Sequence, residues 1–222
     1  MHINRDDQTS YTTLETLRNR GISEVMEGVY AIDVDASGGV WVGSYDTWHF
    51  DGAHWTAPPS SNCNRSERLV ISPTLGIWIG SWGGVCQFFN QAWTRYGPGY
   101  ENQVGFDVRG LAVAPDNAVW VATELSDETF HTQTAFKRFD GKDWTVEATM
   151  NLRDVTDMDF AADGTLWVAT RDGAYKYDGT WTHYTVQDGL AGNEVLHIHV
   201  ADDGSVWFAT NDGLTRFENL SP

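Results

Sequence analysis

A short phrase built on tryptophan comes round five times in this chain of 222 residues. It reads Val40-Trp41-Val42-Gly43-Ser44, Ile77-Trp78-Ile79-Gly80-Ser81, Val119-Trp120-Val121-Ala122-Thr123, Leu166-Trp167-Val168-Ala169-Thr170 and Val206-Trp207-Phe208-Ala209-Thr210. From tryptophan to tryptophan the spacing is 37, 42, 47 and 40 residues. A repeat of that length is one supersecondary unit that must stack on its neighbours to bury its faces, and the period is that of a four-stranded β-propeller blade.

The fourth repeat shows the pattern within a blade. Val155, Met158 and Phe160 precede a turn at Asp163-Gly164, Leu166-Trp167-Val168 follows, and a second break falls at Asp172-Gly173. Tyr175 and Tyr177 then lead through Gly179 to Trp181-Thr182. These are four short runs of β-branched and aromatic residues punctuated by Asp and Gly, expected as strands A to D from the axis outward. The outer strand carries its own mark in Trp55-Thr56, Trp93-Thr94, Trp144-Thr145 and Trp181-Thr182, which the fifth repeat lacks. Ser10-Tyr11-Thr12, ahead of the first strand A, is placed to supply it and to cover an exposed sheet edge. The expected fold is therefore an all-β, five-bladed propeller with four antiparallel strands per blade, in one domain spanning residues 1–222. Its blades fall at about 29–57, 66–97, 107–148, 154–186 and 194–219, the last completed by an N-terminal strand at about 9–16. The alternative is an N-terminal arm and an incomplete propeller that needs a second chain. The nine repeated tryptophans are expected to fill the gaps between blades, leaving Trp48 and Trp82 outside the pattern.

With 41% hydrophobic residues and no linker-like stretch, the chain can bury a large core. A formal charge of −17 disfavours a nonspecific grip on nucleic acid or anionic lipid and leaves cationic, neutral or carbohydrate partners open. The polar start is not a signal peptide and no apolar run approaches a membrane span, so the chain is expected to be cytoplasmic or an exported domain without its signal. Cys63 and Cys86 are too few for a disulfide framework and lack metal-ligand spacing, so two structural thiols are expected.

Strand alternation sends Met158 and Phe160 to one side of strand A and Asp157 and Asp159 to the other. The counterparts of Asp157 in the other blades are His197, Ala31, Arg68 and Gly110; those of Asp159 are His199, Asp33, Val70 and Ala112. Asp157, Asp159, His197, His199 and Asp33 should form a polar patch along the channel, where imidazole and carboxylate together suit a divalent metal. An ordinary solvated lining reads the same way, and no cofactor is required. A second ring, expected at the channel mouth, is Tyr45, Trp82, Glu124, Arg171 and Asn211, residue types suited to stacking, ion pairing and amide hydrogen bonds. The loop from Glu124 to Thr134, containing Phe130 and His131, is a candidate lid. Asp107, Asp154 and Glu194 add negative charge at the same mouth.

There is no Gly-X-Ser-X-Gly, phosphate loop, His-Glu-X-X-His or Cys-X-X-Cys motif. The run Leu166-Trp167-Val168-Ala169-Thr170-Arg171-Asp172-Gly173-Ala174-Tyr175 and its counterpart from Val206 to Phe217 resemble the two-component regulator propeller repeat. The resemblance spans most of residues 29–218, weakening in the second and third repeats. It implies a sensor-type propeller of the kind found in bacterial signalling proteins, binding carbohydrate or another small ligand. The leading expectation is a non-catalytic binding module using Tyr45, Trp82, Glu124, Arg171, Asn211, Arg68, Asp33 and His131. A metal-assisted lyase or hydrolase, which a more distant resemblance to streptogramin lyases implies, would rest on His197, His199 and Asp157. A scaffold for a signalling protein is the third reading, and fold alone does not choose among them.

Overall fold

The computed structural model describes residues 28–59, 63, 66–81, 83–97, 107–126, 132–152 and 154–218. Blade 1 comprises β1 (Ala31–Val34), β2 (Val40–Gly43), β3 (Thr47–Phe50) and β4 (Trp55–Thr56). Blade 2 comprises β5 (Arg68–Ser72), β6 (Gly76–Ser81), β7 (Gly84–Phe89) and β8 (Ala92–Tyr96). Blade 3 is built from β9 (Val108–Val113), β10 (Val119–Ser126), β11 (Thr132–Phe139) and β12 (Trp144–Met150). Blade 4 is β13 (Val155–Phe160), β14 (Leu166–Thr170), β15 (Gly173–Tyr177) and β16 (Trp181–Tyr184). Blade 5 is β17 (Val195–Val200), β18 (Val206–Thr210) and β19 (Gly213–Phe217).

Each sheet is an antiparallel meander in chain order. The first strands pack side by side around the axis, β5 against β1 and β9, and β13 against β9 and β17. The protein is thus an all-β, five-bladed propeller. Among the described residues the fifth sheet has three strands, and the segment expected to complete it, residues 9–16, lies outside them.

The repeated phrase has a local reason as well as a packing one. Thr170 Oγ donates to the Gly173 carbonyl at 2.8 Å and accepts from the Asp172 amide at 3.1 Å. Thr210 makes the same pair of bonds with Gly213 and Asp212, at 2.9 and 3.3 Å. A hydroxyl at the end of strand B therefore closes the B–C turn, and Gly173, at φ 112°, takes a left-handed conformation there. Residues 124–126 and 132–134, expected as part of a loop, instead prolong β10 and β11, whose pairing runs to Ser126 and Thr132.

The tryptophan of strand B lies against the following blade. Trp78 is fully buried, with ring centroids 5.1 Å from Phe139 and 5.9 Å from Trp144 of blade 3. Trp41 meets Phe88 at 6.1 Å, Trp120 meets Phe160 at 5.4 Å, and Trp167 meets Phe208 at 5.5 Å. Trp207 is the exception: the Arg216 guanidinium of its own blade sits over the ring at 5.6 Å. The outer tryptophans Trp55, Trp93, Trp144 and Trp181 are half-buried, since strand D keeps one edge in solvent. Trp48, outside the repeat pattern, is buried with Val42.

Cys63 and Cys86 form a disulfide, in place of the two thiols expected from the sequence. Their Cα atoms are 6.4 Å apart, within bridging distance, in the core shared by blades 1 and 2. Cys63 sits on the connector between the two blades, whose path no repeat pattern defines. Replacing both cysteines by serine opens a loop spanning 23 residues and should cost about 3 kcal/mol. Thermal unfolding should show the same loss on adding reductant to the wild type and none in the variant. Trp78→Ala should cost about 3–5 kcal/mol in denaturant unfolding, whereas Trp207→Ala should cost less than half as much.

Candidate functional site

The register fixes which residues share a level. Asp157, His197, Ala31, Arg68 and Gly110 each face the glycine or alanine that follows the strand B motif, at Ala169, Ala209, Gly43, Gly80 and Ala122. Asp159, His199, Asp33, Val70 and Ala112 face the five tryptophans. The two tiers expected from the sequence are therefore real tiers of the inner strands.

Members of both tiers, among them Asp33, Arg68, Asp157, Asp159 and His197, border a cavity of about 450 Å³ to which all five inner strands contribute, β9 through Leu111. Its carboxylates do structural work. Asp33 accepts from the amide of Val34 at 2.8 Å and from Ile71 of the next blade at 2.9 Å. Asp157 accepts from Met158 at 2.9 Å and Ile198 at 3.2 Å, and Asp159 from Phe160 and Val200, both at 2.8 Å. In all three, one carboxylate oxygen takes the amide of its own strand and the other takes an amide of the next blade. Burial raises the carboxyl pKa of Asp33 and Asp159 above the usual range, outweighing the opposite pull of these bonds.

Arg68 does the corresponding work between blades 2 and 4. Its guanidinium donates to the carbonyls of Arg109 at 3.2 Å, Glu67 at 3.0 Å and Thr156 at 3.0 Å. The histidines occupy the carboxylate tiers on blade 5 and are exposed. His197 Nδ1 lies 3.4 Å from Asp157 and His199 Nδ1 lies 3.6 Å from Asp159. Among the described residues no group of three or more His, Cys, Asp or Glu side chains converges in a way that would hold a metal ion.

At the loop face, three of the expected rim residues are set by one backbone device. The amides of Glu124, Arg171 and Asn211 donate to the carbonyls of Asp107, Asp154 and Glu194, at 3.2, 3.3 and 3.1 Å. Each rim residue is thereby tied to the acidic residue that opens strand A of its blade. The side chains differ: Glu124 pairs with Arg109 at 3.2 Å, and Arg171 reaches Glu194 at 3.4 Å while staying largely exposed. Tyr45 is 55% exposed and edge-on to Tyr30 at 6.2 Å. Trp82 and His131 lie outside the described residues.

A pocket of about 300 Å³ opens beside Arg171, lined by Asn151, Leu152, Asp154, Thr170, Asp172 and Tyr175. Asp154 sits at φ 56°, a left-handed conformation uncommon for a residue with a side chain. The Tyr175 ring stacks on His183, 4.2 Å between centroids and 6° between planes. Asn151, Asp172, Tyr175 and Arg109 are absent from the sequence-based candidates. Asp172 belongs to the Asp-Gly turn and Tyr175 to strand C, so the repeat pattern assigned them to scaffold.

Residues 189–212 match the two component regulator propeller model. No curated protein matches the chain. Among solved structures, it is similar to the extracellular domain of a hybrid two component system from B. thetaiotaomicron, at 15% identity and a TM-score of 0.64. That match covers 90% of this chain and 28% of the other, so the chain spans little more than a quarter of that relative. It is also similar to a gluconolactonase from Xanthomonas campestris, at 13% identity and TM-score 0.63, covering 85% of this chain and 71% of that one. Virginiamycin B lyase from Staphylococcus aureus gives 16% identity and TM-score 0.63, covering 90% and 73%. At these identities the likeness establishes the fold. No helix among the described residues is long and apolar enough to cross a membrane.

Hydrogen bonding to Asp157 raises the His197 pKa above the ordinary 6.5, so the charged pair persists below that value and is lost as pH rises through the folded-state pKa. An NMR titration of His197 should show a midpoint above 6.5, returning towards it in Asp157→Asn.

Proposed function

We propose that this protein is a non-catalytic, sensor-type propeller that binds a small molecule or carbohydrate at its loop face. The observation that carries this reading is the contrast between the channel wall and the rim. Asp33, Asp157, Asp159 and Arg68 spend their hydrogen bonds on neighbouring blades. Tyr45, Asn211 and Arg171 keep exposed side chains, and the pocket beside Arg171 adds Asn151, Asp172 and the Tyr175 ring. An aromatic face with amide, carboxylate and guanidinium groups around it suits a polyhydroxylated ligand, which stacks and hydrogen-bonds at once. Asp107, Asp154, Asp172 and Glu194 at this face, within a chain of net charge −17, favour a neutral or cationic form over an anion.

The Cys63–Cys86 bond supports placing the domain in an oxidising compartment, where such a bridge persists.

A calorimetric screen of neutral and amino-substituted sugars against the full chain tests the binding reading. Arg171→Ala and Tyr45→Ala should each weaken a confirmed hit about ten-fold, or ~1.4 kcal/mol, with the melting temperature unchanged. Hits that bind the double variant as tightly as the wild type would remove the loop face from consideration.

A further inference from the structure

The pocket beside Arg171 has a sister one blade on, and in the sister the protein fills the space itself. The two places correspond residue by residue. Leu152 and Asp154 match Gly192 and Glu194, because the amides of Arg171 and Asn211 bond to the carbonyls of Asp154 and Glu194. Register matches the B–C turns, Thr170 with Thr210 and Asp172 with Asp212, and sets Tyr175 against Thr215. In blade 5 the Ala191 amide donates to Thr215 Oγ at 2.8 Å, and the Ala191 methyl would lie 3.4 Å from a side-chain carbon at Gly213. Gly192 sits so close to the turn that a side-chain carbon there would meet Asn211 Oδ1 and Asp212 Oδ2 at 2.8 Å and Thr210 Oγ at 3.0 Å.

Blade 4 has Leu152 where that close approach requires glycine. Leu152 is buried instead in the core shared by blades 3 and 4, and its carbonyl accepts from Thr134 Oγ of blade 3 at 2.8 Å. The two loops stay apart, and the space of about 300 Å³ opens between them. Asp154 keeps its carbonyl on the Arg171 amide only by taking φ 56°, a conformation Glu194 does not share. Asn151, Asp154 and Asp172 border the opening with exposed side chains. Burial, with a smaller push from the Asp172 carboxylate, raises the Tyr175 phenol pKa and keeps its hydroxyl protonated.

We infer that this pocket takes a methyl-bearing secondary amide, the group that Ala191 contributes in blade 5, carried by an N-acetylated sugar or by a small peptide. The inference rests on the loop-face reading and specifies its ligand. Asp172 is the acceptor for the amide N–H, and Asn151, Arg171 and the Tyr175 hydroxyl are donors for its carbonyl. An ammonium group would leave those donors unmet and a carboxylate would leave the acceptors unmet, whereas an amide serves both.

NMR titration of the full chain with N-acetylglucosamine, glucosamine, glucose and N-acetylalanine methylamide tests this. At least one of the two amides should bind about ten-fold tighter than glucosamine and glucose, and the tighter amide identifies the source. Resonances of Asn151, Asp172 and Tyr175 should shift, and those of the already filled sister site at Ala191 and Gly192 should not. Asp172→Ala removes an exposed turn carboxylate and should weaken the amide about ten-fold with the melting temperature unchanged. Glucosamine binding as tightly as either amide, or amide affinity that survives Asp172→Ala, overturns the inference. Failure of both amides also overturns it, and an amide-free sugar held through Tyr45 and Arg171 would then leave the loop-face reading standing.

Discussion

The indole of strand B, laid on the aromatic side chains of the following blade, is the contact from which the rest of this architecture follows. A blade is a twisted sheet with two faces and can bury neither alone, so its stability is borrowed from its neighbours. Trp78 meets three rings, Tyr96 of its own blade and Phe139 and Trp144 of the next, and is fully buried. Such a contact has a direction: the tryptophan points forward and an aliphatic residue of strand A receives it. A row of blades built this way has two unlike ends, one presenting a tryptophan and one presenting an aliphatic strand. Among the described residues, Trp207 and Ile32 are those ends: Arg216 of its own blade covers Trp207, and Ile32 is exposed.

The second constraint is the crowding of five inner strands around an axis. Small residues at Gly43, Gly80, Ala122, Ala169 and Ala209 recur where strand B must admit the neighbouring blade. A side-chain carbon at Gly80 would lie 2.7 Å from Val108, and one at Gly110 would lie 2.6 Å from the Met158 sulfur. Apolar packing alone would still leave the amides of the inner strands facing the cavity. Asp33, Asp157 and Asp159 answer this by accepting amides from two blades at once. Aspartate is disfavoured in strands, and its presence at three inner positions is explained by this cross-blade bonding.

The legible part of the sequence was the part that repeats. Strand pairing, the equivalence of the two inner tiers and the placing of Asp157 and Asp159 on the side of strand A opposite Met158 and Phe160 all follow from stacking the tryptophans and alternating along strand A. What did not repeat was not legible. The Cys63–Cys86 bond joins a connector to a strand, and the counterparts of Cys86 in the other blades are Trp48, Lys137, Tyr175 and Thr215, none of them a cysteine. The extension of β10 and β11 came from a single blade, where extra residues read equally as loop or hairpin. Polar residues on the channel face were visible, but their targets were not, because those targets are backbone amides and carbonyls. A sequence shows that Arg68 carries a guanidinium; it does not show the Thr156 carbonyl, 88 positions away, that receives it.

That distinction bears on how a propeller can change its ligand without losing its fold. In the wall, Asp157 cannot be exchanged for a hydrophobic residue without stranding the Ile198 amide, so its chemistry is fixed by the neighbouring blade. At the rim, Glu124, Arg171 and Asn211 are held by their backbone amides, and their side chains are free to differ. An acidic, a basic and a neutral residue therefore stand in one structural role. At these three rim positions the scaffold imposes a backbone position and leaves the side-chain type open.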